Sequence, residues 1–192
     1  PFVATALSAV LQPTLGYVAD RRRWRIRLMV LGFLMFAVSM VWVGNTSSYL
    51  MVLLAAGLLG LSASTYHPQS ATLLAYAFPD RRGWAQGIHG IGNGLGFMLA
   101  PLVVGSLVTL LGWRQAAMVL AFPALLAAVI VGVTLREPDV RGGVGMLAGV
   151  TRPLLLLTVV NGCALGVSSG FVTWLPSFYN AQGYSLLAAG AL

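Results

Sequence analysis

Lysine is missing altogether: the eleven basic residues of this 192-residue chain are all arginine, and only four acids stand against them. Charged side chains make up 8% of the chain and hydrophobic ones 58%, too lean a polar inventory to coat a domain that faces water on every side. A single cysteine, Cys163, excludes an internal disulfide framework and a thiolate cluster for a metal. It reads as a small packing residue within an apolar stretch. The acids Asp20, Asp80, Glu137 and Asp139 all fall near the ends of apolar stretches. Paired carboxylates, a nucleophile–base pair and a metal cluster are therefore lacking, so neither an enzyme nor a cofactor is expected. The net charge of +7 would suit nucleic acid only if the arginines formed one face of a soluble fold, and they flank apolar runs instead.

What the chain has in quantity is long apolar runs. Crossing roughly 30 Å of hydrocarbon takes about 20 apolar residues in a helix. Six stretches reach or approach that length: Phe2–Val18, Leu28–Gly44, Tyr49–Phe78, Trp84–Leu111, Gln115–Leu135 and Leu154–Tyr179. A seventh begins near Tyr184. None alternates strictly, which favours spanning helices over barrel strands, and the short turns make successive helices antiparallel neighbours. Arginines mark every second turn: Arg21, Arg22, Arg23, Arg25 and Arg27, then Arg81 and Arg82, then Arg136, Arg141 and Arg152, with only Arg114 in the turns between. Basic loops stay on the cytoplasmic side of a membrane. The arginine-bearing turns are thus expected in the cytoplasm, and the membrane expected is a bacterial inner (plasma) membrane. Trp24, Trp84 and Trp113 stand at span ends, where an indole keeps its N–H wet and its ring among acyl chains. The chain opens at Pro1 inside an apolar run and closes at Leu192 inside another, which predicts an internal piece of a longer polypeptide.

Two motifs stand out. The first basic turn reads Gly16-Tyr17-Val18-Ala19-Asp20-Arg21-Arg22-Arg23-Trp24-Arg25. A glycine lets a neighbouring helix approach, and an acid one turn later at the membrane edge can pair with an arginine or a helix N-terminus as a latch. In the fourth span, Gly92, Gly96 and Ala100 recur every four residues, a small-residue ridge for close helix packing. Pro101 then bends the helix. The first motif resembles the signature loop of the major facilitator superfamily, Gly-x-x-x-Asp-Arg-x-Gly-Arg-Arg, matched by Gly16, Asp20, Arg21 and Arg25. Arg23 stands where the family has glycine, and Trp24 where it has arginine. The second is similar to the antiporter motif of the same superfamily, with Gly87, Gly96, Pro101 and Gly105 in register and Ala100 and Val104 replacing glycines.

Polar groups inside spans are costly and usually face a water-filled route or a partner. His67, in Tyr66-His67-Pro68-Gln69, lies about 20 Å along the helix from Asp80 at 1.5 Å per residue, near the membrane middle. A histidine there can carry a proton at physiological pH. Gln86, His89 and Asn93 are spaced three and four apart on one helix face. Gln69 and Asn161 complete the expected substrate or proton pathway. The run Gln12-Pro13 to Asp20, Tyr66-His67-Pro68 and Arg82-Gly83-Trp84-Ala85-Gln86 resembles the fosmidomycin-resistance branch of the superfamily, although Gln69 stands where that branch commonly has an acid.

The resemblance implies an all-α polytopic membrane protein, a helical-bundle fragment of about six transmembrane helices plus the start of a seventh. Residues 1–136 would be part of the N-terminal bundle (family helices two to six), 137–152 a cytoplasmic linker between bundles and 153–192 the start of the C-terminal bundle. It further implies a secondary active transporter for a small molecule with protons as coupling ion, working as an efflux antiporter in a lipid bilayer. Asp20 and Arg21 would hold the gate, and the ridge from Gly92 to Pro101 would control bundle packing. Uptake of a small organic anion, and a transport-inactive membrane receptor or scaffold, are the rival readings.

Overall fold

A computed structural model describes residues 2–139 and 151–183. They form seven helices: α1 (Phe2–Arg22), α2 (Arg25–Asn45), α3 (Tyr49–Ala77), α4 (Arg82–Leu111), α5 (Trp113–Val119), α6 (Ala121–Thr134) and α7 (Arg152–Ala181). No strand occurs among the described residues. Four helical stretches are long and apolar enough to cross a membrane: α2, α3, α4 and the α5–α6 run from Trp113 to Thr134. Of the other expected spans, α1 and α7 are helical throughout their described lengths. The span expected from Tyr184 and most of the expected linker, residues 140–150, lie outside the described residues.

The residue distribution is inverted relative to a water-soluble domain. The buried positions hold small side chains, among them Ala37, Ala55, Ala121, Ala124 and Ala128, while Phe122, Val129 and Val133 point outward. Lipid is as apolar as leucine, so packing and small residues, rather than burial of large ones, bring such helices together. α3 is the centre of the assembly and packs along both α1 and α2, and α2 packs in turn on α5 and α6. Three glycines set these seams. A Cβ on Gly60 of α3 would strike the backbone of Ala4 in α1. One on Gly32 of α2 would strike the Thr65 hydroxyl, and one on Gly44 would meet the Arg114 carbonyl and the Met118 side chain. The buried Ser39 hydroxyl adds a polar tie across α2 and α3, donating to the Ala55 carbonyl at 2.7 Å.

The prolines act as expected of spans buried in lipid. α3 continues through Pro68, flanked by hydroxyls that bond back to their own helix: Thr65 to Ser62 O, Ser70 to His67 O and Thr72 to Pro68 O. Such back-bonding satisfies the hydroxyls within their own helix, which leaves them no need of a partner in the lipid. The expected single span Gln115–Leu135 is divided at Leu120 into α5 and α6. Pro123 explains the break, since it has no N–H to offer the carbonyl of Val119 and its ring crowds that turn.

α4 differs from its neighbours. It touches α5 and only the margin of α3, and its one buried residue is Ala85. The Gln86 amide donates to the Ala71 carbonyl at 3.1 Å and fastens the first turns of α4 to α3. Among the described residues, α7 makes no close approach to the other helices.

Candidate functional site

The two ends of the bundle are chemically distinct. At one end, Asn45 of α2 reaches Met118 of α5. At the other, the α1–α2 turn, the C-terminal part of α3 and the stretch after α6 converge on Arg25. This side chain is fully buried. Its Nη1 donates to Glu137 Oε1 at 3.0 Å, and its Nη2 lies 2.9 Å from Asp20 Oδ1. That second approach is an ion contact without hydrogen-bond alignment, leaving Nη2 and Nε without an acceptor. The Tyr76 ring lies 5.5 Å beneath the guanidinium as a cation–π partner. Glu137 does more than balance charge. Its carboxylate accepts the backbone N–H of Arg25 at 3.3 Å and of Ile26 at 3.0 Å, so a negative group sits on the N-terminus of α2, where free donors and the helix dipole favour it.

Of the residues expected in the latch, Asp20 lies against Arg25, and Arg21 donates to the Tyr17 hydroxyl at 2.7 Å. Gly16 faces Pro68 with room to spare, since an added Cβ would lie at an ordinary 3.6 Å. Arg23 has φ +56°, a left-handed conformation that favours glycine, and it occupies the position where the signature loop has one. Its side chain pairs with Asp139 at 2.6 Å. Glu137 and Asp139, the first acids of the expected linker, are thus held by the first bundle. Glu137 and Tyr76 were not legible as site residues, because the pairing joins positions 112 residues apart and no local spacing encodes it.

Halfway along α3 the structure holds an open cavity of about 650 Å³ between α3 and α4, with His67, Asn93 and Phe97 exposed on its walls. His67, Gln86, His89 and Asn93 line it together with Tyr66 and Phe97. Tyr66 organises the wall: its ring lies 5.7 Å from that of His67, 5.9 Å from that of His89 and 5.5 Å from Phe33. The stripe expected on α4 and the histidine expected on α3 therefore face one space. Gly92, Gly96 and Ala100 border the same cavity, and a Cβ on Gly87, Gly92, Gly96 or Gly105 would meet nothing. Among the described residues the ridge leading to Pro101 thus lines open space and packs against no helix. Gln69 does not line the cavity; it is buried, and its amide nitrogen has no acceptor. Asn161 is exposed on α7 and is not among the residues lining the cavity. Tyr66 and Phe97 join the wall without having been singled out, since an aromatic in an apolar run carries no local mark of a cavity.

A bundle of apolar helices with an outward-facing aliphatic surface, a polar mid-span cavity and a charge cluster at one end defines a polytopic membrane protein. The chain matches the Major Facilitator Superfamily over residues 2–192 and belongs to that family. It is 35% identical over 124 residues to the fosmidomycin resistance protein of Escherichia coli, covering 64% of this chain and 30% of that protein. It is 29% identical to the "Probable sulfoacetate transporter SauU" of Cupriavidus necator, covering 93% of this chain and 47% of that one. A third relative, the "Uncharacterized MFS-type transporter YfnC" of Bacillus subtilis, is 27% identical over 58% of this chain and 27% of its own length. The chain spans between about a quarter and a half of these relatives.

Proposed function

We propose that this chain forms part of a secondary active transporter that exports a small organic molecule in exchange for protons, from a bacterial inner membrane with its arginine-rich turns in the cytoplasm. The carrying observation is the mid-span cavity, in which two histidines, two amides and a phenol meet at a depth where polar groups are expensive unless they serve a route or a partner. Membership of the Major Facilitator Superfamily and the transporter names of its relatives support the reading. In this scheme His67 carries charge through the cavity. The Asp20–Arg25–Glu137 cluster is the cytoplasmic latch that must part when the bundle rocks to alternate exposure.

The test is His67→Ala in the full-length protein reconstituted into liposomes with an internal pH dye. Proton-dependent flux should fall while membrane insertion stays intact, and unchanged proton-coupled flux removes His67 from the mechanism. Uptake of a small organic anion is the second reading, and the relative named as a probable sulfoacetate transporter, matched over 93% of this chain, bears on the anion and not on the direction. Counterflow in inside-out and right-side-out vesicles separates the two directions. A scaffold or receptor would give no ligand-dependent flux in either.

A further inference from the structure

We propose that Tyr76 is a positioning residue of the charge cluster: its ring keeps the Arg25 guanidinium in place when a carboxylate leaves it. The inference rests on reading that cluster as the latch. A guanidinium carries five N–H donors, and this one is fully buried with only Nη1 on an aligned acceptor. Nε and Nη2 have no acceptor among the described residues. Unmet donors on a buried cation are costly, so the two carboxylates alone do not account for its burial. The face of the Tyr76 ring lies 5.5 Å from the guanidinium carbon. Its attraction for a cation needs no lone pair in line with a particular N–H, which suits a group whose donors are left over.

The three groups around Arg25 are held differently. The Asp20 side chain is 41% exposed and that of Glu137 20%, so water and salt compete for both. Tyr76 belongs to α3, which packs along the same α2 that carries Arg25, and it stays beside the cation when a carboxylate parts. Its own environment gives the side chain no other task. Tyr76 is 40% exposed, too open to serve as core filling, and its hydroxyl makes no hydrogen bond among the described residues. A guanidinium released from the ring would turn out to water. Kept on the ring, it stays in register for Glu137 to return to it and to the amides of Arg25 and Ile26. Tyr76 thus sets how readily the cluster closes again after it has opened.

The test changes the charge on the ring face while keeping its shape. Tyr76→Phe, the mono-, di- and trifluorinated phenylalanines at the same position, and Tyr76→Leu are compared in the full-length protein. Fluorine draws electron density off the ring face and weakens its hold on a cation at almost constant size. Deuterium exchange at the Arg25 and Ile26 amides, which Glu137 covers, reads how often the cluster opens. Tyr76→Phe should exchange like wild type, each added fluorine should speed exchange further, and Tyr76→Leu should speed it by about tenfold. Amides around Ser39, midway along α2, should keep their wild-type rate throughout, which separates a local opening from general unfolding. The proposal is overturned if the fluorinated rings all exchange like phenylalanine, since shape alone would then matter. It is equally overturned if Tyr76→Phe exchanges as fast as Tyr76→Leu, which would assign the role to the hydroxyl. Should Tyr76→Leu fail to fold, the fluorinated series decides by itself. Exchange reads the cluster directly, so a graded series in a protein with unaltered flux would defeat the latch reading alone.

Discussion

α3 and α4 are nearly the same length, 29 and 30 residues, both glycine-bearing and both interrupted by a proline, yet they are built into the molecule in opposite ways. α3 buries Gly60, Ser62, Ser64, Thr65 and Gln69 against α1 and α2. α4 buries Ala85 and presents most of its length outward or to the cavity. Small and hydroxylated residues thus serve two purposes in one bundle. On α3 they let backbones meet, which is what holds helices together in a solvent as apolar as themselves. On α4 the same residue types leave room, and the room is the cavity. A run of glycines is not in itself a packing surface; what matters is whether another backbone arrives.

Three substitutions in this chain sharpen or break that contrast, each read as a shift in unfolding midpoint in detergent. The largest effect is expected where the C-terminal part of α3, the α1–α2 turn and the end of α6 are joined. Glu137→Ala leaves the fully buried Arg25 with Asp20 alone and strips the α2 N-terminus of its acceptor, for a loss of about 3–5 kcal/mol. Next comes Gly60→Ala: the new methyl would collide with the Ala4 backbone, which cannot swing aside as a side chain can, for about 1–3 kcal/mol. The smallest is Gly96→Ala on α4. With none of the described residues near the added Cβ, the change should stay within about 0.5 kcal/mol of wild type or stabilise by up to about 1 kcal/mol through helix propensity. Equal damage from Gly60→Ala and Gly96→Ala would erase the distinction between the two helices.

The helical, membrane-spanning architecture was legible because it depends on bulk properties: run length, charge placement and the solvent that must surround them. The polar stripe His89–Asn93 and the mid-span His67 were legible for a related reason, since a polar group in an apolar run is conspicuous and helical spacing says which of them share a face. The partners were not. Arg21 and Arg25 both stand near Asp20 in sequence, and no local spacing says that Arg25, which follows the left-handed turn at Arg23, is the one folded inward. Glu137 looked like the first residue of a linker because its partner lies at the far end of the chain order. The ridge Gly92–Gly96–Ala100 has the spacing of a tight helix contact, but spacing cannot report whether a second helix occupies it. The close approaches fall instead at Gly32, Gly44 and Gly60, isolated glycines with no repeat to announce them.

The position of Glu137 has a mechanical side. Because its carboxylate grips the first two amides of α2, the chain leaving α6 is anchored before it departs, like a rope made fast to a cleat. Any tug from the polypeptide beyond Asp139 then lands on the mouth of α2 and on the guanidinium beside it, and lengthening or shortening the downstream stretch would alter slack without loosening the knot.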